Sequence, residues 1–357
     1  MGKRPLIVRT NAQTPIRTKA DFFKPIASAV KSCEPQTAPA DNVPVEPVAE
    51  KPATDNPPRE WTIETVPYTE LTQKREAPSF AEDSAQRQVL FRATFPHGKT
   101  LATAIVSQSD LGSQYYFDYC SEKGLTISIQ KHGGSALVVF NFPRKSFIHW
   151  SGSKQSMSFC FTKANVSKLN TWCKNDPTFT VAKYSDNKDR IEFRLHIPDK
   201  RDGIFYMEEY DSSNDAQDDI VDVPPNLNYA TSCTLSLMDF TDALRDCIVA
   251  NGTVVGLRIL DSGLNIQTYS SLSESTPITL ITLVCGLRMQ QEVEELCFSI
   301  VFLELFCRLH KSALNASISL DEKNPLRLQA TIKAPAANNP PIALGTVNAY
   351  LASCYRE

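Results

Sequence analysis

Across its 357 residues the chain lacks the spacings that usually announce chemistry. It has no G-x-x-x-x-G-K-[ST], no G-x-G-x-x-G, no G-x-S-x-G and no H-E-x-x-H, so the common phosphate cradles, nucleophile elbows and zinc-protease helices are excluded as sequence readings. Five histidines lie far apart without an evident carboxylate or cysteine partner. Ten cysteines form neither a C-x-x-C pair nor a Cys/His cluster at metal spacing, and Cys160, Cys247 and Cys307 sit inside apolar runs, as reduced buried thiols do. No apolar stretch approaches the roughly 20 residues of a membrane helix, and the start, MGKRPLIVRT, lacks a signal-peptide core. The expectation is a soluble, unsecreted protein with no catalytic residues, no metal and no cofactor. The formal net charge of -3 gives no global attraction to a polyanion, so any such affinity has to come from local placement of Lys and Arg.

What is present is organised in blocks. Residues 1–86 hold twelve of the 23 prolines and few large apolar residues, too little buriable surface to offset chain entropy, and are predicted to be a disordered tail. Its first 33 residues are basic (Lys3, Arg4, Arg9, Arg17, Lys19, Lys24, Lys31), and Glu34 to Pro58 is acidic and proline-rich. From Val89 short alternating runs predict antiparallel strands over 89–95, 115–119, 125–129, 136–142, 178–181, 190–197 and 204–207, with helices over 97–111 and 162–174. An acidic stretch from Glu208 to Pro225 follows, and then the same order of elements begins again. Strands are predicted over 232–237, 254–260, 264–268, 278–284, 316–320, 326–332 and 345–351, with helices over 239–250 and 302–314. The predicted organisation is therefore a tail (1–86), a first β-rich unit (87–208), a connector (209–230) and a second unit (231–357). Lys131-His-Gly-Gly134 is the nearest thing to a phosphate turn; it lies between two strands with no following helix and reads as a hairpin.

Several stretches in this order resemble one family: Ser156 to Leu169 (SMSFCFTKANVSKL), Phe205 to Tyr210, Ile220 to Tyr229, Leu237 to Cys247, Asn324 to Ala330 and Asn348 to Ala352. Together they are similar to the sliding clamps of the proliferating cell nuclear antigen type, from Val89 to the carboxyl terminus. The resemblance implies an α+β fold of two tandem β-rich clamp domains, with antiparallel sheets outside and four short helices inside. It implies a homotrimeric ring that encircles double-stranded DNA without regard to sequence, serves as a DNA polymerase processivity factor and recruits replication and repair proteins in the nucleus. Divergence over the helices and an insert near Leu287 to Glu295 also fit a clamp of a large DNA virus, which would put the work at a cytoplasmic replication site. Two other roles share the resemblance: a regulatory or checkpoint-type subunit of a heteromeric ring, and a clamp-fold interaction protein with no DNA function.

The resemblance also assigns residues. Subunits would pair through the edges Arg190 to Ile197, with Arg190, Glu192, Arg194 and His196, and Pro277 to Val284, with Ile278 and Leu280. The helices would line the hole. About 100° per residue puts Lys163, Lys168 and Lys174 on the arc opposite Val166, Leu169 and Cys173, and Arg308 and Lys311 opposite Leu305 and Leu309; Lys99 and Arg245 complete the DNA-facing set. Those seven cations share their faces with Asp110, Asp239, Asp242, Asp246 and Glu304, so the expected attraction to phosphate is modest and easily screened. Client peptides would bury an aromatic plug between a connector wall of Val221, Val223 and Pro224 and a floor of Leu137, Pro325, Tyr350 and Ala352, with Gln130, Gly134 and Ser353 departing from the family's usual residues. In the tail, Phe22 and Phe23 resemble the aromatic half of a clamp-binding peptide and are expected to dock in such a groove.

Overall fold

The computed structural model describes residues 88–131, 133–186, 189–197, 201–210, 227–334 and 341–354; the proline-rich start, with Phe22 and Phe23, and the connector positions Val221, Val223 and Pro224 lie outside them. The first half runs β1 (Val89–Phe95), α1 (Gly98–Ser107), β2 (Gln114–Cys120), β3 (Gly124–Gln130), β4 (Ala136–Pro143), β5 (His149–Gly152), β6 (Ser156–Thr162), α2 (Lys163–Trp172), β7 (Thr178–Tyr184), β8 (Arg190–Ile197) and β9 (Arg201–Glu208). The second half repeats that order as β10 (Thr231–Ser236), α3 (Leu237–Val249), β11 (Val254–Leu260), β12 (Gly263–Tyr269), β13 (Thr279–Leu283), β14 (Gly286–Met289), β15 (Leu296–Ser299), α4 (Ile300–Cys307), β16 (Asn315–Leu320), β17 (Leu326–Ala334) and β18 (Ile342–Leu351). A 3-10 turn, Arg308–Lys311, extends α4.

Local sequence accounts for these elements. Along β17 every second residue from Leu326 to Ala334 is buried, the period that puts one face of a strand on a core. Thr162 and Ser236 cap α2 and α3, their hydroxyls accepting from the backbone N–H of Asn165 and Asp239 at 3.4 and 3.3 Å. Asp176 does the same for α1 from outside the helix: its carboxylate accepts from the backbone N–H of Lys99 at 3.0 Å and meets His97 Nδ1 at 3.1 Å. Gly124 and Gly263, at φ of 121° and 133°, open β3 and β12 at matching turns, where a side chain would strike a carbonyl of the adjacent strand.

The strand pairings of the two halves match one for one. β1 lies between β5 and β7, and the ladder continues through β8 to β9; β10 lies between β14 and β16, and the ladder continues through β17 to β18. β2 lies between β3 and β6, with β4 beyond β3; β11 lies between β12 and β15, with β13 beyond β12. One further ladder joins the halves: β4 pairs antiparallel with β18 from Ala136↔Leu351 to Asn141↔Thr346, fusing two ladders into a nine-stranded sheet. The helices and inner sheet faces enclose one continuous core, aromatic in the first half (Phe91, Phe95, Phe159, Phe161, Phe193) and more aliphatic in the second (Leu237, Leu244, Leu257, Ile266, Leu303). Each such side chain contributes about 2 kcal/mol when fully buried.

Two expectations are corrected. Arg190 to Ile197 is not an edge: β8 is hydrogen-bonded to β7 on one side and β9 on the other, so its backbone is already saturated and the outer strand is β9. Arg190, Glu192, Arg194 and His196 accordingly make contacts inside the half; Glu192 is buried and ion-paired with Arg194, Arg190 meets Glu208 at 3.3 Å and His196 meets Asp202 at 2.5 Å. The stretch near Leu287 to Glu295 is not simply an insert either. It opens with part of β14, the counterpart of β5, whose four residues are all exposed and so carry no alternation to read.

Candidate functional site

Three features outside the core stand out: two open sheet edges, a layer of helices and the end of the β4·β18 seam. Six of the described strands are paired on one side only; two of them correspond in the repeat to the seam strands β18 and β4, namely β9 in the first half and β13 in the second. They carry exposed apolar side chains, Ile204 (51%) and Tyr206 (49%) on β9, and Ile278 (45%) and Leu280 (61%) beside and on β13. Exposed aliphatic residues on an unpaired strand are an association hazard unless another strand covers them.

The repeat allows the halves to be placed in register. Gly98 donates its N–H to the Pro177 carbonyl at 3.0 Å in the first half, and Leu237 to the Leu314 carbonyl at 2.9 Å in the second, which equates Pro177 with Leu314. The ladders β7·β8·β9 and β16·β17·β18 then carry Phe205 onto Ala349. Likewise β2·β3·β4 and β11·β12·β13 carry Phe142 onto Leu283. Within the seam Asn348 faces Val139 and Tyr350 faces Leu137. Their counterparts on the open edges are Ile204 with Leu280, and Tyr206 with Ile278, so the four exposed apolar residues fall at mutually facing positions of the one ladder that the chain does not make with itself.

The four helices form a continuous layer: α2 packs on α1, α1 on the 3-10 turn, and that turn on α3 and α4. Of the cations expected on it, Lys99, Lys174 and Lys311 are exposed and, among the described residues, have no carboxylate within ion-pairing distance. Lys168 donates to Asn165 Oδ1 at 2.8 Å. Arg245 pairs with Asp242 one turn away at 2.8 Å. Lys163 and Arg308 both pair with Asp110, at 3.0 and 2.6 Å, and Arg308 also approaches Glu304 at 3.7 Å. The Arg308 guanidinium, joined by the Lys163 ammonium, holds the Asp110 carboxyl below the usual carboxylate range. The layer is lopsided. Its first half shows four lysines against Asp110, and its second three cations against Asp239, Asp242, Asp246 and Glu304, together with exposed Met238, Ile248, Val249 and Val301.

At the seam the structure brings Leu137 and Tyr350 directly opposite each other, and backs Tyr350 with Arg327 on the next strand. Arg327 lies over the Tyr229 ring at 4.6 Å, and the Tyr229 hydroxyl donates to the Pro325 carbonyl at 3.0 Å. Ala352 donates its N–H to the Ser135 carbonyl at 3.0 Å. The floor positions are therefore neighbours, and Tyr229 and Arg327, which the sequence reading missed, belong with them. Burial pushes both tyrosine hydroxyls above their ordinary range. Among the described residues no group of three or more His, Cys, Asp or Glu is placed to hold a metal ion, and no helix is long and apolar enough to cross a membrane.

No protein-family profile and no curated protein matches the chain. Among solved structures it is similar to the Proliferating Cellular Nuclear Antigen of Entamoeba histolytica, with a TM-score of 0.61 and 17% sequence identity over 75% of this chain and 100% of that one. The likeness establishes the architecture: this chain has a clamp fold like that of proliferating cell nuclear antigen, with antiparallel sheets and four helices.

Proposed function

We propose that the chain is a sliding-clamp subunit, three copies of which join head to tail through β9 and β13 into a ring around double-stranded DNA, where it acts as a polymerase processivity factor in the nucleus. The observation that carries this reading is the seam. The ladder made by β4 and β18 within the chain has its exact topological counterpart in two strands left open, and the register derived from the repeat sets Ile204 against Leu280 and Tyr206 against Ile278. Unlike edges make a head-to-tail contact rather than a symmetric pair, and such contacts close into a ring where the rotation fits. The helix layer would line the opening and offer Lys99, Lys163, Lys168, Lys174, Arg245, Arg308 and Lys311 to the phosphates. The floor of Leu137, Pro325, Tyr350 and Ala352, with Tyr229 and Arg327, would take the aromatic plug of a client peptide, Val221, Val223 and Pro224 forming its wall; Phe22 and Phe23 are a candidate plug supplied by the chain itself.

Light scattering of the full chain on a sizing column tests the assembly. Three chain masses are expected, together with retention on closed circular duplex that is lost when the circle is cut. A chain that stays single and never associates with duplex would sink the reading. The carboxylates and exposed apolar residues of α3 favour a second one, a regulatory subunit of a heteromeric ring, and a chain that assembles only with other clamp subunits would select it.

A further inference from the structure

Asp110 follows α1 and stands where the helices of the two halves meet. Its Oδ1 accepts from Lys163 Nζ at 3.0 Å and its Oδ2 from Arg308 Nη1 at 2.6 Å. One carboxylate thus holds one cation from each half. The three side chains are 52%, 46% and 43% exposed, so water and ions reach all of them. The position of Asp110 does not depend on these pairs. Two residues earlier the buried Gln108 donates from Nε2 to the Leu305 carbonyl at 2.8 Å, and the backbone N–H groups of Ser109 and Leu111 are bonded to the Val106 and Gln108 carbonyls, which fixes the end of α1 against α4.

Taking the clamp reading as its basis, we propose that Asp110 is a built-in competitor of DNA phosphate, occupying Lys163 and Arg308 and thereby setting how weakly the helix layer grips the duplex. A carboxylate presents two anionic oxygens much as a phosphodiester presents its two unbridged ones, and either is a charge-assisted acceptor for a guanidinium or an ammonium. A phosphate reaching Lys163 or Arg308 has to displace an oxygen that is already in place, and on leaving it is replaced at once by the same oxygen. Contacts of that kind exchange easily, which suits a ring that must move along DNA. Without the acid, the same two cations become ordinary phosphate contacts, each steepening the salt dependence of binding by about 0.9 in log–log slope.

The test uses the full chain as wild type, Asp110→Asn, Lys163→Ala/Arg308→Ala and the triple variant, with elution from double-stranded DNA-cellulose by a salt gradient and titration of a short duplex. Asp110→Asn is expected to elute at higher salt, to bind about tenfold more tightly near 0.1 M salt and to show a slope steeper by about one to two. In the Lys163→Ala/Arg308→Ala background the gain should disappear. Elution of Asp110→Asn together with wild type overturns the proposal, and so does an equal gain in both backgrounds, which would mark a simple effect of net charge. If duplex does not retain the wild-type chain even at low salt, the clamp reading fails first and takes the proposal with it. Thermal melts of all four proteins check that the halves remain joined.

Discussion

The two halves of the chain share every strand pairing but present different chemistry on both sides of their sheets. On the outer face of the first half, Arg92, Glu192 and Arg194 are buried or nearly so, Glu192 being ion-paired with Arg194 and Arg92 donating to the Tyr184 hydroxyl at 3.2 Å. The positions that correspond to them by register in the second half are Ser232, Arg327 and Gln329, all part-exposed. The helix layer differs in the same way, with a lysine surplus in the first half and a carboxylate surplus in the second. The lesson is that the core-facing alternation is what the two halves hold in common, whereas their outward positions have specialised differently.

That contrast can be broken experimentally, beginning where the effect should be largest. Glu192→Ala removes the carboxylate that pairs with Arg194 in a mostly buried setting and should destabilise the chain by about 4 kcal/mol in denaturant melts. Gln329→Ala, its neighbour's counterpart across the repeat, should cost under about 1 kcal/mol. Equal losses would mean that the outer faces do not differ as described. Next in size, Leu280→Asp should weaken self-assembly about a hundredfold, close to 3 kcal/mol by the affinity relation, and leave the melting of the single chain unchanged. Val139→Asp, at the matching position of the seam, should instead lower stability itself, because that ladder lies within one molecule. On the helices, Lys168→Ala should reduce duplex retention about fivefold, and Asp242→Asn, which releases Arg245, should raise it about twofold. A larger effect of Asp242→Asn than of Lys168→Ala would mean that the second half's cations, rather than the lysines of the first, carry the contact.

The smallest effect concerns thiols. Cys233 donates its S–H toward Cys285, and this bond holds the Cys285 pKa below the ordinary thiol value although partial burial works against it. Burial pushes Cys160 and Cys173 of the first half up to about 11 and about 12. Mass spectrometry after brief alkylation near pH 8 should find Cys285 labelled before Cys160 and Cys173, the thiolate being the nucleophile, and Cys233→Ala should slow it by a few fold.

Much of this architecture is legible in the amino-acid order. Alternation such as Leu326 to Ala334 marks strands without ambiguity, and the apolar stripe of Val166, Leu169 and Cys173 marks α2. Which strand stands outermost is not, because periodicity reports the faces of a strand and not its hydrogen-bonding neighbours. Arg190 to Ile197, which the resemblance implies to be an edge, is found to be an inner strand only once the β8·β9 ladder is seen. β14 has no inward side and leaves no signal. For the candidate site, the cations were readable as exposed helix positions, but their partners were not: Asp110 lies 53 residues from Lys163 and 198 from Arg308, and Tyr229 reaches Arg327 only through the folded sheet.

A sheet of nine hydrogen-bonded strands crosses from one half to the other at the seam. Swinging the halves apart would mean shearing the whole β4·β18 ladder, which ties the two halves into one piece. In the proposed ring the joints would then lie only where β9 of one copy meets β13 of the next, and opening it to admit DNA would mean parting that joint.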